Sequence, residues 1–213
     1  MIRVRDILDN IQLGETVLIE YSSKVAPILF FSELVDWAKE KGYSAVVDDI
    51  LDTLYLYKVQ LELVGANMSF LNDLKVIKFG GRFNVGQIFG RLHIERPEIR
   101  EQKYKEFFGP LLEEGKTVVN PVLGFEKIFL LQESKADILN LMNETLSFVG
   151  EKPRIALYFI NSDVLESTAP EALPLFEELA STILKVDIEG KLYKFSVVKS
   201  VNNNLLGLEF TLP

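Results

Sequence analysis

Thr16-Val17-Leu18-Ile19, then Tyr21-Ser22-Ser23-Lys24-Val25-Ala26-Pro27, then a helical pattern that closes at Gly42: the reading of residues 15–42 decides the fold. The first run is rich in β-branched residues and unbroken, which predicts a strand buried on both faces of a parallel sheet. Ile28, Leu29, Phe31, Leu34, Val35, Trp37 and Ala38 then recur at helical spacing. Gly42 stops that helix, and Pro27 lies in its first turn, where a missing N–H costs nothing.

Strand, tight loop and helix form the frame in which a G-x-x-x-x-G-K-[ST] loop cradles phosphates. Laid on that frame, Tyr21 and Ala26 take the two glycine positions, Pro27 the lysine and Ile28 the hydroxyl. Such a loop works by turning consecutive N–H groups inward, which needs glycine dihedrals. Tyr21 and Ala26 restrict those dihedrals, Pro27 removes a donor, and Ile28 offers Mg²⁺ no oxygen. Lys24 is the only cation in the loop, and its ordinary reading is a solvated lysine. No ordinary nucleotide hydrolysis is expected.

The chain has 213 residues, 48% hydrophobic and 25% charged. That fits one globular domain, which at this size buries roughly 70% of its unfolded surface and needs no staples. Cysteine is absent, so disulfides, thiolate metal sites and cysteine nucleophiles are excluded. His93 is the only histidine, so a histidine-cluster metal site is excluded too. The net charge of −8 opposes binding to nucleic acid, whose affinity comes from neutralising phosphates. No apolar run reaches the roughly 20 residues of a membrane span, and the N-terminus with Arg3, Arg5 and Asp6 does not read as a signal peptide. A cytoplasmic location is expected.

Outward from the opening stretch, residues 4–11 read as a short amphipathic helix and 45–47 as a second strand, closed by Asp48-Asp49. A helix follows over 51–64, then a strand over 74–79 that Gly80-Gly81 breaks. Residues 82–94 hold Arg82, Arg91 and His93. An anion-binding loop is one reading there; a β-hairpin or irregular loop with solvated arginines is preferred. The pattern then predicts a charged helix over 98–112 and strands over 117–119 and 127–131, with Asn120-Pro121 and Gly124 as turns. Ser134 and Asp137 signal the start of a helix over 134–149. Ile155-Ala156-Leu157-Tyr158-Phe159-Ile160 is a second central strand with Asn161-Ser162-Asp163 at its carboxyl end, where open α/β sheets place ligands. A helix over 172–184 precedes an antiparallel hairpin over 192–198 and 205–212, joined by Asn202-Asn203-Asn204. Residues 1–213 read as a single domain.

Asp48-Asp49 are the strongest chemical candidates. A like-charge pair in a cleft, with Asp163 near it across the sheet, raises one pKa and makes a general base. Asp49 also fits the start of the following helix, and capping is the preferred reading. Tyr55 and Tyr57 cannot share one helical face, since positions two apart diverge.

The order of these pieces resembles RecA/KaiC-type ATPase domains. Asp6-Ile7-Leu8-Asp9 before Gly14-Glu15-Thr16-Val17-Leu18-Ile19 is similar to that family's entry, and Asp48-Asp49 fall where it carries a glutamate pair. Asn161 stands at its Walker B aspartate. Ile183-Leu184-Lys185-Val186, Lys199 and Leu208-Glu209-Phe210 are similar to its closing strand and hairpin. The chain looks most like archaeal KaiC-like proteins with an eroded phosphate loop. The resemblance implies a three-layer RecA/KaiC-like sandwich, mostly parallel, with a C-terminal antiparallel hairpin. It also implies a surface prone to self-association, but not the ATPase, because the loop and Asn161 depart from the pattern. The expected function is a non-catalytic binding or scaffold protein, with residual nucleotide binding as the alternative. The expected cleft residues are Tyr21, Ser22, Ser23, Lys24, Ala26, Asp48, Asp49, Asn161 and Asp163, with Tyr21 and Phe30 rimming a path for a peptide or partner. No catalytic residue, metal or cofactor is expected.

Overall fold

The computed structural model describes residues 3–94, 97–113 and 115–213. Strands β1 (Thr16–Tyr21), β2 (Ser44–Ile50), β3 (Lys75–Phe79), β4 (Gln87–Leu92), β5 (Val118–Leu123), β6 (Arg154–Asn161), β7 (Thr182–Glu189), β8 (Leu192–Ser200) and β9 (Glu209–Leu212) form one sheet in the order β4-β3-β2-β5-β6-β1-β7-β8-β9. The pairs from β4 to β7 are parallel, and β8 and β9 are added antiparallel. Helices α1 (Val4–Leu8), α2 (Ile28–Glu40) and α3 (Thr53–Leu63) cover one face. Helices α4 (Pro97–Glu113), α5 (Lys135–Leu146), α6 (Ser162–Thr168) and α7 (Ala172–Leu179) cover the other. This is the three-layer α/β architecture that the resemblance implies.

Because side chains alternate along a strand, each buried strand feeds two cores. Val17, Ile19, Leu157 and Phe159 pack under α2, while Leu18, Ala156, Tyr158 and Ile160 pack under α6 and α7. On the first face, Phe30 lies against Phe159, Phe195 and Phe210 at ring separations of 6.0, 5.1 and 6.3 Å.

Several elements differ from the sequence pattern. Asp48 and Asp49 do not close β2 but lie inside it, both buried. Residues 87–92 are neither hairpin nor loop: β4 runs parallel beside β3 after a connection of only seven residues, 80–86. A parallel return ordinarily takes a dozen residues or more. Here the segment can return because its maximum reach of roughly 23 Å exceeds the roughly 17 Å of β3, with Gly80, Gly81 and Gly86 in the left-handed region turning it at its two ends. It is pinned by Lys78 Nζ on the Phe83 carbonyl (2.7 Å), by Asp52 accepting the Arg82 and Phe83 N–H groups (2.7 and 3.0 Å), and by Phe83 stacked on Tyr55 at 4.2 Å.

Residues 127–131 are part of a 3-10 helix, Phe125–Leu131, not a strand. The helix predicted to run to 184 ends at Leu179, and Thr182 begins β7. Asn161-Ser162-Asp163 lead straight into α6. Tyr57 is buried and Tyr55 half-buried, as their divergent positions require.

Asn120-Pro121 form no turn; they lie within β5, between β2 and β6. A central proline leaves one ladder carbonyl without its N–H partner. Ser44 N–H donates to Thr117 O, so stepping by two the Val46 carbonyl falls to the N–H that Pro121 lacks. Asn120 Nδ2 donates to that carbonyl instead, at 2.7 Å. Asn120 Oδ1 in turn accepts Nε and Nη2 of the buried Arg154, at 3.0 and 2.6 Å. Asn120→Ala leaves a buried carbonyl and a guanidinium unpartnered, so urea unfolding should show a loss of about 2–4 kcal/mol, against under 1 kcal/mol at an exposed asparagine such as Asn203.

Candidate functional site

An open α/β sheet places ligands where neighbouring strands send their connections to opposite faces. β1 leads into α2 on one face, and its neighbour β6 leads into α6 on the other, which opens a crevice between them. β2 and β5 make a second, with α3 and the 3-10 helix Phe125–Leu131 diverging from it.

The first crevice holds most of the residues singled out from sequence. Ser23 N–H donates to Asp163 Oδ2 at 2.8 Å, and Ser23 Oγ and Asn161 exchange hydrogen bonds at 3.0–3.2 Å. Ser162 Oγ donates to the Tyr21 carbonyl at 3.3 Å, and Val25 N–H donates to Ser22 O at 2.9 Å. The loop is thus tied down on the start of α6. Lys24 is exposed, Ala26 is half-buried, and Pro27 is buried as the residue preceding α2.

Asp48 and Asp49 do not join this group. β5 and β6 separate β2 from β1, three strand spacings or roughly 14 Å. The two acids also point to opposite faces. Asp49 accepts Lys78 Nζ (2.7 Å) and the Leu54 N–H (2.9 Å) at the start of α3, which is a capping role exercised from within the strand. Asp48 accepts the Tyr104 hydroxyl (2.8 Å) beneath α4. No shared carboxylate pair exists between them. Nor do Tyr21 and Phe30 rim a peptide path; both are buried in the core. Lys199 is also engaged: its Nζ donates to the Glu177 and Glu178 carbonyls at the end of α7, at 2.5 and 3.2 Å, a favourable place for a cation.

Residues that sequence reasoning passed over lie in the second crevice and between it and the first, where Glu126 stands near Asn161 and Tyr21. Glu126 is 2% exposed, and its Oε2 lacks a partner, as does the hydroxyl of the buried Tyr57. Burial pushes the Glu126 carboxyl up to about 7. Burial, with the Glu126 carboxylate adding to it, raises the Tyr21 phenol. Lys127 Nζ donates to Thr53 Oγ1 (2.7 Å), which donates to Ile50 O (2.7 Å). Gly124 sits beneath with φ +78°, where a Cβ would lie 2.1 Å from Thr53 Oγ1, so only glycine fits. Leu51 and Asp52 are left-handed at φ 48° and 62°, a strained pair held by the Asp52 contacts to Lys78, Arg82 and Phe83. The sequence signal for this cluster was faint: one acid inside the apolar run Phe125–Leu131.

A family model described as a Pyrococcus protein of unknown function, DUF257, matches residues 6–211. The chain belongs to this DUF257 family. A structure from a structural study of the Pyrococcus horikoshii OT3 protein PH0250 is 32% identical, with 97% of this chain and 96% of that one covered and a TM-score of 0.81. The KaiC-like protein PH0186 of the same hyperthermophilic archaeon is 10% identical over 94% of this chain and 86% of that one, with a TM-score of 0.65. That second likeness shows that this chain has the KaiC-like RecA fold. No curated protein matches the chain.

Glu126 gives this DUF257 protein a definite response to pH. The raised carboxyl keeps its proton in the folded chain between the ordinary glutamate range and about 7, while the unfolded chain has already released it. Stability therefore falls as pH rises through that window. Glu20 and Asp48, pushed up by burial to about 7 and about 6, act in the same sense. Glu126→Gln should stabilise the protein by on the order of 2 kcal/mol near pH 8 and leave it unchanged near pH 4, read by chemical unfolding at both.

Proposed function

We propose that this chain is a non-catalytic, cytoplasmic binding or scaffold protein on a RecA/KaiC-like fold, with a degenerate phosphate loop that its own residues fill. One contact carries the reading: the Ser23 N–H donates to the Asp163 carboxylate at 2.8 Å. A phosphate loop works with inward amides left free for the anion. Here an amide of the loop faces a carboxylate of the chain, so an arriving triphosphate meets like charge as well as an occupied donor. Asn161, where relatives on this frame carry a metal-holding aspartate, bonds to Ser23 instead.

The docking surface in this reading is an apolar groove of about 570 Å³ between α2, the end of α3 and β8. Leu63 and Val64 stand 80% and 64% exposed along it, beside Ala26, Ile28, Leu29 and Tyr193. Exposed apolar surface of this kind marks a site of association. It fits a second copy of the chain or an apolar segment of a partner polypeptide, and the net charge of −8 disfavours nucleic acid.

ATP with Mg²⁺ should move the melting temperature by less than about 1 °C. A ligand at a hundred times its dissociation constant would raise it by roughly 5–10 °C, and such a rise would restore the nucleotide-binding reading. In the same preparation, light scattering should report a multiple of 24.2 kDa that Leu63→Asp reduces to the single-chain mass.

A further inference from the structure

On the face of the sheet covered by α4 and α5 lies a chamber of about 60 Å³, walled mainly by aromatic and aliphatic side chains. Asp48 reaches into it, 3% exposed. Its Oδ2 accepts the Tyr104 hydroxyl, and its Oδ1 has no partner. Arg154 forms another part of the wall, held by Asn120 and lying over the Phe108 and Phe148 rings at 5.2 and 5.4 Å. At the mouth, Arg100 Nη2 donates to Glu144 Oε2 at 2.9 Å. Outside that ion pair a polar groove of about 460 Å³ runs between α4 and α5, sharing Arg100, Glu101, Leu141 and Glu144 with the chamber.

We infer that this chamber is a binding site for the head group of a small uncharged molecule bearing an N–H or O–H donor, of the primary amide or primary alcohol class. Each element of the description follows from the wall. A buried carboxylate oxygen without a partner calls for a donor. Asp48 and Arg154 already balance in charge, so a cation or anion entering beside them would be buried without compensation. The volume is only a few times the roughly 10–15 Å³ that one water needs on the same measure, which limits the head to a few heavy atoms. The tail of the ligand lies in the outer groove once the Arg100–Glu144 pair swings aside. The site is remote from the β1/β6 crevice and stands whether or not that crevice takes a nucleotide.

Three probes of similar size separate the possibilities: propionamide, propionate and propylammonium, each titrated in the millimolar range into the labelled protein while amide resonances of Asp48, Tyr104 and Phe148 are followed. Propionamide should shift them saturably, and the two ions should not. Asp48→Asn, which can turn a donor toward the ligand's donor, should weaken propionamide roughly tenfold. Thr145→Leu fills the chamber without touching a charge and should abolish the shifts, which keeps the test decisive if Asp48→Asn fails to fold. Absence of a saturable shift, equal shifts from all three probes, or undiminished binding in Thr145→Leu would overturn the assignment and leave a chamber that holds water only.

Discussion

A backbone amide or carbonyl turned away from water must find a partner, and this chain repeatedly meets that demand with a side chain placed for the purpose. Asn120 supplies the donor that Pro121 withholds from Val46, and the sheet passes through a central proline without a break. Lys78 donates to the Phe83 carbonyl and Lys199 to the last carbonyls of α7, and at the surface Asp163 accepts the Ser23 N–H. The seven-residue crossover from β3 to β4 and the tightly held loop after β1 both exist because these partners are in place.

Strand alternation decides what the acids can do. Asp48 and Asp49 are neighbours in the chain yet occupy separate cores, one beneath α4 with a single hydroxyl donor and the other clasped between Lys78 and the start of α3. A cleft dyad was the chemical promise of the pair, and the pleat removes it. What replaces it is a carboxylate with an open oxygen in an apolar chamber, together with a protonatable glutamate near Tyr21 and Asn161. Both are buried groups with unmet hydrogen-bonding capacity, and in a folded protein such groups point to a ligand, a water or a proton.

Much of the fold was legible because the strongest signals are local. The buried run of β1, the proline at the start of α2, the Ser134–Asp137 capping pair of α5 and the apolar run of β6 read correctly, since each element carries its own pattern. The elements that did not read depend on distant residues. β5 contains a proline that only Asn120 makes tolerable, and β4 follows a crossover shorter than parallel strands usually need. The apolar spacing of α7 runs on into Ile183 and Leu184 and so predicts a helix to 184, but β1 claims those two residues by pairing. Within the site, Ser23, Asn161 and Asp163 come together as their place at the carboxyl ends of adjacent strands implies. The burial of Glu126 has no local signal, because it comes from the distant Tyr21 and Tyr57 lying near a carboxylate in a 3-10 turn.

The account turns on whether the loop after β1 has a free donor for phosphate. The Ser23 amide resonance, followed while ATP and Mg²⁺ or inorganic phosphate is added, reads that donor directly. The closed loop predicts a resonance that does not move in wild-type protein, because the Ser23 N–H already donates to the Asp163 carboxylate. A saturable shift of Ser23, spreading to Lys24 and Ile28, would mean that triphosphate displaces the carboxylate, and it would contradict the claim.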